Sequence, residues 1–190
     1  MPIKPASRPQ QSEAVTRKVL KAKGVTKQVA ILGVRGYYED SMGKPAQNDR
    51  GQYDDAIFVV GPGGVHVAFN GNTDPSVFRK GIATLKPGIH PYKRGNHGIS
   101  RPGGGYPALR PATPGEKLPV TRDGQPGEHF GIAINIHRGS KTSTSSEGCQ
   151  TIHPDQYTEF ITLVTNLLTG YGQTTVPYCL VTIDELERLR

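Results

Sequence analysis

After a long strand-like stretch, the hydrophobic pattern of this chain switches to helical spacing at His153. Upstream, short apolar runs alternate with polar residues at period two and are cut by clusters of glycine, proline, asparagine and aspartate, the pattern of strands joined by turns. Downstream, Tyr157, Phe160, Ile161, Val164, Leu167 and Leu168 recur at helical spacing. His153-Pro154-Asp155-Gln156 opens that helix with proline at its first position, and Gly170 ends it. A chain that is strand-rich for most of its length and then offers one amphipathic helix has to pack that helix on a sheet. The fold class implied is α+β, mostly β.

Strands are expected over 28–38, 55–60, 65–70, 88–94, 106–110, 118–122, 130–137 and 176–182. The second and third flank Gly61-Pro62-Gly63-Gly64 and read as a hairpin. Residues 42–51 favour a loop, and 97–105, with four glycines, a mobile surface loop. Ser12 is a candidate cap for a short basic helix carrying Val15, Val19, Leu20 and Ala22, and Asp184 for a short terminal helix. Without repeats or a second boundary, the expected organisation is a flexible basic arm and short helix over 1–27 and a single domain over 28–190. At 190 residues the chain has enough core to be stable without staples.

A net charge of +7 points to an anionic partner. Apart from Arg17, Lys18, Lys21, Lys23 and Lys27 the basic residues are scattered, and neither a nucleic-acid motif nor a glycine-rich phosphate loop is present. Nucleic acid is therefore not the expected partner, whereas anionic wall polymers, outer-membrane lipid or plain solubility account for the charge equally well. No apolar run approaches the roughly 20 residues that span a bilayer, so no membrane span is expected. The first nine residues hold no hydrophobic segment after their basic residues, so no secretory signal is expected either.

The chain has two cysteines, too few for a disulfide framework. Cys179 stands in an apolar strand-like run and reads as a buried, inert thiol. Cys149 differs: it follows Ser145-Ser146-Glu147-Gly148, in turn chemistry, twelve residues after His137. A thiol attacks as thiolate and needs a base and access. The run Ile134-Asn135-Ile136-His137 alternates as a strand that would hold an imidazole rigidly. His66 and His90 alternate with apolar residues and read as lining a surface or cleft. His97, His129, His137 and His153, with Glu128 or Asp123, lack any short metal-ligand spacing, so no metal or cofactor is expected.

The order strand, His137-Arg138-Gly139, short loop, Ser146-Glu147-Gly148-Cys149, then helix resembles the catalytic domain of the L,D-transpeptidase (YkuD-like) family. Ala83-Thr84-Leu85-Lys86-Pro87-Gly88-Ile89-His90 is similar to the stretch that precedes that family's active-site strands, and the likeness extends in outline over 28–168. The resemblance implies a YkuD-like fold and an enzyme that cross-links or trims peptidoglycan stem peptides through a cysteine acyl-enzyme. It implies Cys149 as nucleophile, His137 as its base, and a carbonyl of Arg138 or Gly139 to orient the imidazole. Gly148 and Cys149 would present main-chain N–H groups to the oxyanion, with Ser145 and Ser146 shaping the loop and Thr151 beside the substrate. Without an export signal, such an enzyme is expected to be made in the cytoplasm and to reach the periplasm or wall by another route, as a phage endolysin or antibacterial effector does.

The chain departs from the family in having Glu147 where histidine is common, Thr151 where arginine or asparagine is common, and a shorter loop between His137 and Cys149. A carboxylate beside the thiol raises its pKa unless a cation pairs with it, and Arg138 or His153 is the expected partner. Glu147 therefore also supports a second reading, a peptidoglycan glycosidase (muramidase) with Glu147 as general acid and Glu39, Asp40, Asp54 or Asp55 as companion. In the bland reading, Tyr53-Asp54-Asp55 is a solvated strand entrance. A wall-binding module without catalysis is the third reading.

Overall fold

The computed structural model describes residues 4–38, 49–100 and 102–190. In chain order they form α1 (Glu13–Ala22), β1 (Ala30–Arg35), β2 (Asp55–Gly61), β3 (Val65–Asn72), β4 (Ala83–Leu85), β5 (Gly88–His97), β6 (Tyr106–Pro111), β7 (Leu118–Arg122), β8 (Gln125–Gly131), β9 (Ile136–Arg138), β10 (Gln150–Ile152), α2 (Pro154–Gly170), β11 (Val176–Thr182) and α3 (Ile183–Leu189). Eight strands close into a barrel in the order β1-β11-β5-β6-β9-β10-β3-β2, and β4, β7 and β8 make a separate three-stranded sheet. The protein is α+β and mostly β. No helix among the described residues is long and apolar enough to cross a membrane.

Alternation along the strands builds two apolar layers. Ile31, Ile57, Val59, Tyr178 and Leu180 face one cluster, which α2 completes with Phe160 and Val164; Phe160 meets Phe69 edge-on at 5.4 Å. Leu32, Val34, Phe58, Cys179 and Val181 face the other, closed by Val19 and Leu20 of α1 and by Leu186 of α3. Strands covered on both faces read as almost continuous apolar runs, as 55–60 and 176–182 do. Cys179 is fully buried here, and burial pushes its thiol up to about 11.

Four expectations change. The strand expected over 130–137 is two pieces: Ala133 takes a left-handed φ of 55°, so Phe130 ends in the small sheet while Ile136 pairs within the barrel. Of the residues expected in the loop over 97–105, 98–100 and 102–105 lie between β5 and β6, whereas His97 belongs to β5, paired with Tyr106. Residues 4–12 are docked rather than a free arm: Arg8 pairs with Glu159 through two hydrogen bonds and lies 5.1 Å from the Phe69 ring centre. The hydroxyl of Tyr38 and the amide of Asn70 both donate to the Ser7 carbonyl. The terminal helix is capped by Thr182, whose hydroxyl accepts from the Glu185 N–H, not by Asp184. The loop expected over 42–51 lies outside the described residues up to 48, as do Glu39 and Asp40.

A fifth correction concerns Asp54 and Asp55, which are buried rather than solvated. Asp55 accepts from the backbone N–H groups of Gly36 and Thr73, each at 2.6 Å. Among the described residues, Asp54 and Asp74 each keep a buried oxygen without a hydrogen-bond partner. Burial, then the Asp55 carboxylate, raises Asp54 to about 9 and Asp74 to about 8, so both are protonated at neutral pH. A carboxyl whose folded pKa lies above its unfolded value of about 3.9 binds more protons in the folded state, so stability falls as pH climbs from that value toward 8 and 9. Melting followed from pH 5 to 9 should decline, and Asp54→Asn should flatten the decline and melt higher than wild type at pH 8. A steeper decline in the variant would refute this account.

Candidate active site

Parallel pairing of β9 with β10 sets Ile136 beside Gln150 and His137 beside Thr151. Ile136 and Ile152 point into the inner core. By period-two alternation Asn135, His137, Cys149 and Thr151 share the outer face. His137 and Cys149 line one cavity of about 570 Å³, between the barrel wall and the small sheet. A second cavity of about 200 Å³ shares His97, His137 and Ser145 with the first, so the imidazoles stand where two lobes of one cleft meet.

His137 is held on several sides. Its Nδ1 lies 2.8 Å from the Arg138 carbonyl, an acceptor, so Nδ1 carries the proton and Nε2 is the basic nitrogen. The Tyr106 hydroxyl lies 3.2 Å from the same Nδ1 and donates to the same carbonyl at 3.3 Å. The His97 ring stacks on the imidazole face, centres 3.9 Å apart and planes 14° from parallel. The Asn135 amide, 3.2 Å from the His97 Nδ1, ties that second ring to the strand carrying His137.

The thiol is set between backbone groups. The Asn135 N–H donates to Cys149 Sγ at 3.3 Å, and Sγ points at the Ala133 carbonyl, 3.7 Å away. Burial raises the thiol pKa, the Asn135 N–H lowers it, and the charge of Glu147 raises it again, so the resting group is the thiol. Ala133, whose carbonyl faces the sulfur, and Ser145, which lines the same cavity, are both left-handed though neither is glycine (φ 55° and 57°); each costs about 1–2 kcal/mol in backbone strain.

Gly148 has φ 128°, and a Cβ there would lie 2.7 Å from the Ala83 carbonyl oxygen of β4. The Gly148 N–H donates to Ser146 Oγ, whose own hydrogen goes to the Cys149 carbonyl. The Gly148 amide is thus spent inside the loop, which corrects its expected place in an oxyanion hole. Ser76 clamps the loop from outside: the Ser146 N–H donates to its hydroxyl at 2.8 Å, and its N–H donates to the Ser146 carbonyl at 2.9 Å.

Of the expected site residues, Cys149, His137, Glu147, Gly148 and Ser145 line the larger lobe, and Arg138, Gly139 and Ser145 the smaller. The Arg138 guanidinium lies 4.9 Å from the Tyr106 ring centre, and Gly139 lies against the Tyr53 hydroxyl. Ser146 and Thr151 are buried and line neither lobe, so they support the loop and strand rather than touch a ligand. Glu147 pairs with Arg79 at 2.9 Å, not with Arg138 or His153, and both partners are exposed. Asp54 and Asp55 line neither lobe, and Glu147 is the one carboxylate among the described residues that lines the larger. His153 caps α2, His129 bonds the Pro126 carbonyl, and buried His90 bonds the Lys86 carbonyl rather than lining a surface. Among the described residues no group of three or more His, Cys, Asp or Glu side chains is arranged to hold a metal ion.

His97, Tyr106, Asn135, Arg79 and Arg122 belong to the site without having been singled out as its members from the sequence. One signal was there: Asn135 and His137 are two apart in a strand and so share a face. No protein-family profile, curated protein or solved structure matches the chain.

Proposed function

We propose that the protein is a peptidoglycan-active cysteine enzyme of the L,D-transpeptidase class, with a YkuD-like fold, acting on stem peptides by acyl transfer or hydrolysis. The observation that carries the reading is the placement of His137 on β9 and of Cys149 at the loop end that leads into the neighbouring β10, both lining one cavity, with the Arg138 carbonyl fixing the imidazole tautomer. His137 Nε2 takes the thiol proton as Sγ attacks the stem-peptide carbonyl, and a tetrahedral oxyanion forms. With the Gly148 amide committed to Ser146, the Cys149 N–H is the loop donor assigned to that oxyanion. The protonated imidazole gives its proton to the leaving amine, and the thioester remains. Water or an acceptor amine then enters through the smaller lobe, is deprotonated by the same nitrogen, and releases the acyl group from sulfur.

Glu147 is the one carboxylate among the described residues of the larger lobe, which favours this route over glycoside cleavage, where a second acid or a base across the sugar is needed. Glu147, paired with exposed Arg79, serves as a rim residue. Mass spectrometry of purified peptidoglycan digested with wild type and with Glu147→Gln tests the reading. Altered stem peptides from both proteins are expected, whereas new reducing sugar ends that disappear in Glu147→Gln would establish the glycosidase instead. Action on the wall places the working enzyme in the periplasm or wall.

A further inference from the structure

On β5 the inner face carries Tyr92, and the outer face carries Lys93, Gly95 and His97 in a row. The paired residues of β6 are Arg110, Ala108 and Tyr106. One face of a two-stranded ribbon therefore runs from the imidazole stack at one end to Lys93 and Arg110 at the other. Lys93 and His97 are four positions apart, about 13 Å of strand.

That far end is a groove of about 530 Å³. Lys93 and Arg110 stand directly opposite each other in the antiparallel pair, an arrangement that like charges make unfavourable. The Arg110 side chain lies across Gly95, where a Cβ would come 2.9 Å from its Cδ, and its one hydrogen bond among the described residues is a long one of 3.5 Å to the Asn96 carbonyl. Arg94 adds a third cation at the edge, tethered to Thr169 of α2 at 2.8 Å. No carboxylate lines the groove among the described residues, and its walls are Ile99, Pro111 and Pro114.

We propose that this groove is a second binding subsite, which holds a carboxylate-bearing segment of an acidic, peptide-substituted polysaccharide about 13 Å along the ribbon from His97, the ring stacked on the His137 imidazole. An anion between Lys93 and Arg110 offsets their repulsion, and the aliphatic walls accept the apolar faces of sugar rings. Single-stranded nucleic acid is disfavoured because the described residues of the lining offer no aromatic ring on which a base would stack. The subsite deepens the wall-enzyme reading and rests on it for the identity of the polymer.

The test uses full-length protein with Cys149→Ala, so that nothing is consumed, sedimented with insoluble peptidoglycan sacculi. Binding is expected to fall as salt rises, to fall when the wall carboxylates are amidated, and to weaken by about tenfold in Lys93→Gln/Arg110→Gln. The same double substitution, made in the active protein, should leave processing of a short soluble stem peptide unchanged and should melt no lower than wild type, because it removes a like-charge pair. Equal binding by the double variant would overturn the subsite, as would tighter binding to an oligothymidylate than to sacculi. Charge-dependent binding by a protein whose wild type alters no stem peptide would keep the groove and refute the acyl-transfer reading.

Discussion

Cys149→Ala should remove stem-peptide processing, by at least about 10⁴-fold, the scale on which loss of a nucleophile acts in enzymes that work through a paired base. On the proposed route the Cys149 sulfur forms the thioester, and alanine would leave neither a nucleophile nor a group for His137 to deprotonate. Cys149→Ser is the sharper variant. An alkoxide is much harder to generate than a thiolate, and this site is already unfavourable to negative charge, since burial and Glu147 both raise the Cys149 pKa. Serine should therefore fail nearly as completely, and retention of full activity by Cys149→Ser would refute a thioester route. His137→Gln should lose a similar factor while keeping the fold, because the buried side chain is replaced by one that still donates toward the Arg138 carbonyl. The same electrostatics predict that maleimide labelling of Cys149 is slower at pH 7 than labelling of a free thiol, with its rise displaced to higher pH.

Local signals carried the elements that local physics decides. Ser12 does cap α1, with its hydroxyl accepting from the Val15 N–H; Pro154 does open α2; and the glycines after Gly61 do turn the β2–β3 hairpin. Each of these needs only neighbours in sequence. The misreadings needed partners far away. Asp54 and Asp55 looked solvated because nothing nearby reveals that Gly36 and Thr73 aim their N–H groups at Asp55. The arm looked free because the Glu159 carboxylate that binds Arg8 stands 151 residues on.

The strand expected over 130–137 failed for another reason. Phe130, Ile132, Ile134 and Ile136 keep perfect alternation, yet Phe130 and Ile132 are exposed and Ile134 and Ile136 buried. A non-glycine residue held left-handed by tertiary packing, as Ala133 is, leaves no trace in composition. In the candidate site, that His137 and Cys149 would line one cavity was legible because strand alternation and a Gly-Cys turn are both local. His97 was not, since it reaches the imidazole only through the pairing of β5 with β6 and of β6 with β9.

Gly148→Ala should damage stability and activity together. The residue sits at φ 128°, where side-chain-bearing residues are rarely found, and its new methyl would meet the Ala83 carbonyl oxygen at 2.7 Å. Strain and overpacking of these kinds together cost about 2–5 kcal/mol, or on the order of 10 °C in melting temperature for a chain of this size. The backbone can escape only by swinging away from β4, which breaks the Gly148–Ser146–Cys149 hydrogen-bond chain and carries the sulfur away from the Asn135 N–H. Loss of activity should therefore exceed what the unfolded fraction explains when both are measured well below the melting temperature. Ser145→Gly is the matched control three residues earlier, because it relieves a left-handed φ of 57° with no new atom to place, and it should melt no lower than wild type. If Gly148→Ala instead melted like wild type and kept its activity, the small sheet would not be seated against the nucleophile loop, and the cavity between them would not be the place where the thiol reacts.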